Sequence, residues 1–137
     1  MTKDDCIFCK LANGVFSTRT IYEDDTFRVF MDASPATKGH CLIVPKSHCD
    51  NLETIDDDTA AKLMPLAKKI MKLLKEKLGC KGLNLVQNNG ELAGQTVFHF
   101  HLHVIPRYDD DEQTIGWKPG SPSDEELDDI LNKIVGA

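Results

Sequence analysis

The sequence lacks any apolar run that approaches the ~18 residues needed for a transmembrane helix. It also lacks a surplus of basic residues, since 22 Asp and Glu outnumber 16 Lys and Arg and give a formal net charge of -6. A surface of that charge repels DNA and anionic lipid, so we expect neither bulk nucleic acid nor a membrane as a partner. The acidic start of the chain, Met1 to Cys6, does not resemble a signal peptide.

No export signal accompanies the five cysteines, and an odd number of cysteines cannot form a closed set of disulfides. This pattern indicates a reducing compartment, and we expect a cytoplasmic location. Internal repeats and low-complexity tracts are also missing. With 41% hydrophobic and 28% charged residues, the chain has the composition of a folded protein. We expect a single domain over residues 1–137, with a core at about 6–107 and a C-terminal loop and helix at 108–137.

Hydrophobic periodicity predicts five strands and two helices. The predicted strands lie at or near residues 21–22, 27–31, 39–45, 82–88 and 97–106. Apolar residues at three- and four-residue steps predict one long helix between the third and fourth strands, and Ser123 with Glu126 forms a capping box for a short C-terminal helix. Because strands and helices do not alternate as parallel units require, we expect an α+β fold with a five-stranded, mainly antiparallel sheet.

Three histidines alternate with apolar residues between positions 99 and 105, in the order His-Phe-His-Leu-His-Val-Ile. On a strand, side chains two residues apart share a face, so His99, His101 and His103 are expected to form a row. The apolar residues between them would pack into the core. Three of the chain's five histidines occupy these alternate positions, which favours a chemical site over an ordinary polar strand face.

Cys6 and Cys9 form a C-x-x-C pair, whose two sulfurs can bind one tetrahedral Zn²⁺. Two further ligands must come from distant residues, and the candidates are His48 and His99. A filled set of four ligands would be structural. The alternative is two small buried cysteines without a metal. Cys49 lies next to His48 and could serve as a spare ligand.

A glycine-containing segment, residues 88–97, lies directly before the histidines. Gly90 and Gly94 permit unusual backbone angles, and Gln95, Thr96 and the nearby backbone N–H groups could face an anion. We interpret this segment as a phosphate-binding loop. Imidazoles beside a phosphate indicate phosphoryl or nucleotidyl transfer, in which a neutral histidine attacks phosphorus.

These residues resemble the histidine triad (HIT) family, whose motif is His-φ-His-φ-His-φ-φ with φ apolar. Residues 99–105 match the motif at every position, and the resemblance spans about residues 6–107. Upstream matches are Asp32, His40, residues 43–46, His48, Asn88 and residues 94–96. The most similar branch is the histidine triad nucleotide-binding (HINT) type, in a version that keeps the C-x-x-C pair.

The resemblance implies a HIT-like fold, a homodimer with a continuous sheet, and a nucleoside monophosphate bound at each histidine row. His101 would be the nucleophile toward the α-phosphate, and His103 the second catalytic residue. The nucleotide-binding residues that it implies are Ile7, Phe8, Phe30, Asp32, His40, Asn88, Gln95, Thr96 and Val97. Among these, the first three would contact the base and Asp32 the ribose hydroxyls. In zinc-carrying members the ligands match Cys6, Cys9, His48 and His99.

The resemblance implies hydrolysis at the α-phosphate of purine nucleotide conjugates, such as adenosine phosphoramidate, through a covalent nucleotidyl-His101 intermediate. Two alternatives remain open: hydrolysis of dinucleotide polyphosphates by the same nucleophile, and a nucleotide-binding regulatory module with little catalysis. A metallohydrolase using His99 and His101 is disfavoured, because a filled four-ligand site leaves no open position. The sequence departs from the HINT branch at Thr96, which is often Ser there, and at Trp117, which is shifted from the branch's C-terminal Trp.

Overall fold

A computed structural model describes residues 1–136 and shows one sheet with the strand order β1-β2-β3-β5-β4. Every neighbouring pair of strands is antiparallel. The strands are β1 (Thr20–Glu23), β2 (Phe27–Met31), β3 (Cys41–Pro45), β4 (Gly82–Val86) and β5 (Leu102–Arg107). The expected α+β class with a five-stranded antiparallel sheet is confirmed.

The helices are α1 (Ile7–Ala12), α2 (Asp57–Leu78) and α3 (Asp124–Val135). The side chain of Asp56 caps the start of α2, and Gly79 ends it with a left-handed φ of 66°. Ser123 and Glu126 form the predicted capping box of α3. Helix α1 is not predicted by periodicity, because its six residues are too short to show a helical repeat. Within residues 1–136, no helix combines the length and hydrophobicity of a membrane span.

The two faces of the sheet are covered by helices of very different length. Helix α2 packs on one face and forms the main core, whose largest contributors are Phe27, Val29, Ile43, Leu63, Ile70, Leu74, Phe100, Leu102 and Val104. On the other face, the short helix α1 covers only a small cluster that includes Phe30, Leu42 and Val44. This second face therefore has room for a pocket beside β3 and β5.

The fifth strand begins at Leu102, five residues later than predicted. The ladder between β3 and β5 runs only as far as the pair Ile43 and Leu102. Two residues further along β3 lies Pro45, which has no N–H to donate, and its carbonyl accepts a hydrogen bond from Nε2 of His99 at 2.8 Å instead. Two of the three motif histidines therefore lie in the segment before β5, and only His103 is on the strand.

Candidate functional site

An open pocket of about 370 Å³ lies on the face of the sheet that α1 partly covers. Its apolar lining comes from α1 and from strands β2 and β3, and it includes Phe8, Phe30 and Leu42. His101 and His103 line its polar side, where their ring centroids are 5.0 Å apart. The volume is that of a small-molecule site, which typically spans about 300–1,000 Å³.

His101 has one nitrogen committed to the backbone and one nitrogen free. Its Nδ1 donates to the carbonyl oxygen of His99 at 2.7 Å. Burial lowers the pKa of His101, so the imidazole is neutral near pH 7. Because the single ring proton is on Nδ1, Nε2 keeps its lone pair. The ring of Phe8 packs edge-on against His101 with the centroids 4.8 Å apart, which holds the imidazole in this orientation.

Two successive hydrogen bonds determine which ring nitrogen of His103 carries the proton. The backbone N–H of Ala36 donates to Nδ1 of His40 at 2.9 Å, so the proton of a neutral His40 is on Nε2. That Nε2 lies 2.9 Å from Nδ1 of His103 and donates to it. Burial lowers the pKa of His40, and burial together with the neighbouring histidines lowers the pKa of His103 to about 4. A neutral His103 therefore carries its own proton on Nε2.

The cluster of Asp32, His40 and His103 has the spacing of a metal site, since one donor atom from each lies within 4.8 Å of the others. Metal binding at Nε2 of His40 would displace its proton to Nδ1, where the N–H of Ala36 already points. The Ala36 contact therefore opposes metal binding at this cluster. Asp32 lies 3.5 Å from Nε2 of His40, and its other oxygen accepts from the N–H of Ser34 at 2.8 Å.

A second cluster joins the start of α1 to the end of β3 and to the segment before β5. Sγ of Cys6 lies 3.3 Å from Nδ1 of His99, and Sγ of Cys9 lies 3.4 Å from Nδ1 of both His48 and His99. The four donor atoms are all within 4.8 Å of one another. In a tetrahedral zinc site with bonds of about 2.0–2.3 Å, such donors are about 3.3–3.8 Å apart. The structure thus brings together the four predicted metal ligands.

The outer nitrogens of both histidines in this cluster have hydrogen-bond acceptors. Nε2 of His48 lies 2.9 Å from a carboxylate oxygen of Asp50, and Nε2 of His99 donates to the carbonyl of Pro45 at 2.8 Å. Each contact keeps the ring proton on Nε2 and turns the Nδ1 lone pair toward the sulfurs. Burial also lowers the pKa of His99 to about 4, which keeps it neutral. The donor set therefore fits Zn²⁺, with two thiolates and two neutral imidazoles.

The glycine-containing segment, residues 88–97, forms part of the pocket wall. Asn88, Gly94, Thr96 and Val97 line the pocket, and Gly94 has a φ of 98° that favours glycine. Gln95 is buried and lies outside the pocket lining. Its amide nitrogen donates to two backbone carbonyls and its amide oxygen accepts from the N–H of Gly90 at 2.8 Å. Gln95 therefore holds the loop in shape from behind.

The remaining implied residues divide between the pocket and its surroundings. Phe8, Phe30 and Asp32 line the pocket, whereas His40 lies behind His103. Ile7 lies in an adjoining hollow with Thr96, Val97 and Phe98. The sequence interpretation did not include Leu11, residues 17–19 or Leu42, which also line the pocket. Leu42 had a usable signal, because residues two apart on an extended segment share a face and it is two residues from His40. Residues 17–19 belong to an irregular segment and had none.

The family comparison agrees with the histidine motif. The family model of the HIT domain matches residues 13–110, so the chain belongs to the histidine triad family. An uncharacterized HIT-like protein of Methanocaldococcus jannaschii is 42% identical over 131 residues, which are 96% of this chain and 99% of that protein. The adenosine 5'-monophosphoramidase hnt1 of Schizosaccharomyces pombe is 34% identical over 134 residues, which are 94% of this chain and 98% of that protein.

Solved structures with the same fold include two bacterial proteins. The protein SMU.412c of Streptococcus mutans is 38% identical and superposes with a TM-score of 0.92 over 97% of this chain and 85% of its own. A zinc-bound histidine triad family protein of Mycobacterium smegmatis is 35% identical, with a TM-score of 0.76 over 94% of this chain and 91% of its own.

Proposed function

We propose that this protein hydrolyses purine nucleoside phosphoramidates at the α-phosphate through a covalent intermediate on His101. The observation that carries the proposal is the pair of opposite tautomers in one pocket. His101 offers a lone pair on Nε2, and His103 offers an N–H on Nε2. One nitrogen can attack phosphorus while the other donates to a phosphate oxygen. The relative named as an adenosine 5'-monophosphoramidase supports this choice of substrate class.

In the first step, Nε2 of His101 forms a bond to phosphorus and the bond from phosphorus to the leaving nitrogen breaks. The leaving nitrogen takes the bonding electron pair together with a proton from solvent water, and it departs as the free amine. His101 keeps its Nδ1 proton on the carbonyl of His99, so the intermediate is a phosphoryl imidazolium. In the second step, water attacks phosphorus and gives up a proton to solvent, while the bond from phosphorus to Nε2 of His101 breaks and its electron pair returns to Nε2. Nucleoside monophosphate is released with His101 neutral again.

His103 stabilises the negative charge that develops on the phosphate. Its proton on Nε2 is a hydrogen-bond donor, and the chain from Ala36 through His40 keeps that proton in place before substrate binds. Backbone and side-chain donors of Asn88, Thr96 and Val97 would contact the other phosphate oxygens. We assign the base to the apolar lining of Phe8 and Phe30, and the ribose hydroxyls to Asp32.

We propose that the cluster of Cys6, Cys9, His48 and His99 holds one structural Zn²⁺. Four protein ligands complete a tetrahedral coordination and leave no position for water or substrate. The zinc-bound relative from M. smegmatis supports this assignment. The metal would cross-link α1 to the two segments that carry the histidines. Because His99 is two residues before His101, the cross-link would also fix the start of the catalytic segment.

We further propose a homodimer in which the free edge of β4 joins the sheets of two copies. β4 is a terminal strand of the sheet, and Leu85 on it is exposed. An uncovered sheet edge is a template for pairing with another strand. The five free cysteines support a reducing, cytoplasmic location.

The activity is tested by measuring kcat/KM for adenosine phosphoramidate and for diadenosine tetraphosphate under identical conditions. The proposal expects the phosphoramidate to react at least about tenfold faster, because the residues assigned to the pocket contact a single phosphate and none is assigned to the further phosphates of the tetraphosphate. A preference for the tetraphosphate would assign the protein to dinucleotide polyphosphate hydrolysis. Tight binding of nucleoside monophosphate without turnover of either substrate would make it a binding module.

A further inference from the structure

Helix α3 has an apolar stripe that no other part of residues 1–136 covers. All twelve residues of α3 are exposed. Leu127, Ile130, Leu131 and Ile134 are 53–75% exposed, and their three- and four-residue spacing places them on one side of the helix. An isolated helix of this length is marginally stable in water, because most helical stability comes from packing such a stripe.

The rest of α3 is strongly acidic. The helix contains five carboxylates, and Lys133 is its only cation, so its formal charge is -4. None of these carboxylates forms an ion pair with another side chain in the described part of the chain. The surface that covers α3 should therefore combine an apolar groove with basic edges.

A groove with these properties lies between β1 and the C-terminal half of α2. Two adjoining hollows of about 280 Å³ each share Ile21 and Leu73, and Met31, Leu74 and Leu78 extend the apolar lining. The charged residues that line the two hollows are Lys38, Lys69, Lys72, Lys77 and Glu76, which gives a formal charge of +3.

The lysines of this groove are free to meet carboxylates. Among residues 1–136, no lysine of α2 has an ion-pair partner. The ammonium group of Lys69 lies 4.4 Å from the centre of the Tyr22 ring, which keeps its charge at the groove. The groove and α3 thus carry formal charges of opposite sign, +3 and -4.

The connection to α3 favours docking on another chain. Arg107 pairs with Asp111 at 2.8 Å, and the side chain of Gln113 donates to the carbonyl of Ala36 at 2.8 Å, so the chain is anchored up to residue 113. The following ten residues, 114–123, contain Pro119 and Pro122. Prolines stiffen such a segment, and within residues 1–136 no residue of α3 lines the groove of its own chain.

We propose that α3 of one chain docks in the groove between β1 and α2 of a second copy. The apolar stripe would fill the groove, and the carboxylates beside it would meet Lys69, Lys72 and Lys77. If the exchange is reciprocal, each copy gives one helix and one groove, and the contact closes by symmetry. β1 and β4 are opposite edges of the sheet, so this contact is separate from pairing at β4.

The test uses two charge-reversed variants of the full chain. One carries Asp128→Lys, beside the apolar stripe of the helix, and the other carries Lys69→Glu and Lys72→Glu at the groove. Lys62→Glu, on the same helix outside the groove, is the matched control. Hydrogen exchange of the α3 amides is measured by mass spectrometry for each protein. It is also measured for the two reversed variants co-expressed with different affinity tags and purified by both tags in turn.

The proposal expects α3 to be protected in the wild type and in the control. Each reversed variant alone should exchange about tenfold faster in α3, because both copies then place like charges together. The co-purified pair should regain protection, since each helix meets a groove of opposite charge in the other chain. A pair that stays unprotected would assign each groove to the helix of its own chain and contradict the proposal. Unprotected α3 in the wild type would contradict it as well.

Discussion

Nε2 of His40 lies 2.9 Å from Nδ1 of His103, and this contact determines which nitrogen of His103 carries its proton. The direction of the bond is fixed one step earlier, where the N–H of Ala36 donates to the other nitrogen of His40. A backbone amide can only donate, so the whole chain has one polarity. His103 consequently presents a donor and His101 an acceptor to the same pocket.

His40→Ala should lower turnover about tenfold, because removing one hydrogen bond of ~1.4 kcal/mol frees His103 to exchange tautomers. His40→Gln is the matched control, since its side-chain amide can still donate to Nδ1 of His103. Its turnover should lie between those of the wild type and the alanine variant. Nitrogen-15 NMR of the wild type should show His103 protonated on Nε2. A spectrum with the proton on Nδ1 would overturn the tautomer assignment.

The depressed pKa of His103 makes stability depend on pH. Its folded pKa is about 4, below the ordinary value of 6.5, because burial and the neighbouring His40 and His101 oppose the charged form while Asp32 favours it only partly. Between these two values the unfolded chain binds a proton that the folded chain does not, so the free energy of unfolding falls as pH falls from 6.5 to 4.

His103→Asn should remove up to about one proton from this pH dependence. Urea unfolding at several pH values, in the wild type and in this variant, measures the difference in slope. The stability that His103 contributes is fully present above pH 6.5. Equal slopes for the two proteins would show that the folded pKa of His103 is not depressed.

Cys9→Ala should abolish stoichiometric zinc and lower the melting temperature, because a structural metal contributes directly to folding free energy. Cys80→Ala is the matched control, since Cys80 is also buried but belongs to no cluster among the described residues. Metal analysis and thermal unfolding measure both effects. A chelator should likewise lower the wild-type melting temperature, with activity lost only as the protein unfolds. Full zinc content in Cys9→Ala would refute the ligand assignment.

Gly39→Ala should destabilise the fold by about 1–3 kcal/mol, the cost of a strained backbone position. Gly39 has a φ of 91°, and a Cβ there would collide with the side chain of Leu78 and lie 3.3 Å from Pro106. Gly79→Ala is the control, because its φ is also positive at 66° but its Cβ would meet nothing within 4 Å. Urea unfolding should rank the control as clearly less destabilised.

Much of the fold was predictable from local patterns, but the exact start of β5 was not. The alternation of histidines and apolar residues correctly indicates which side chains enter the core, since Phe100, Leu102 and Val104 are buried there. However, the alternation of histidines and apolar residues also covers residues 99–101, which do not pair with β3. If the register of β3 and β5 continued, Pro45 would face Phe100 without an N–H to donate, and the N–H of Phe100 donates instead to the carbonyl of Cys49 at 2.8 Å.

The residues of the site were predictable from the sequence, but the hydrogen bonds that orient them were not. The C-x-x-C pair and the two distant histidines can be named from the sequence, yet the hydrogen bonds that select their tautomers come from carbonyls and a carboxylate in other segments. The same is true of Ala36, whose N–H sets the direction of the hydrogen bond from His40 to His103. Its role has no signal in the sequence, because every residue other than proline has this group.

The central claim is that Nε2 of His101 forms a covalent bond to the substrate phosphorus. The most direct measurement mixes concentrated enzyme with adenosine phosphoramidate labelled at phosphorus, stops the reaction in alkaline denaturant within the first turnover, and locates the label by peptide mapping. The account predicts alkali-stable, acid-labile label on His101 in the wild type and no label in His101→Ala, whose turnover should fall by about 10³-fold or more. Label on another residue, or near-normal turnover by His101→Ala, would contradict it.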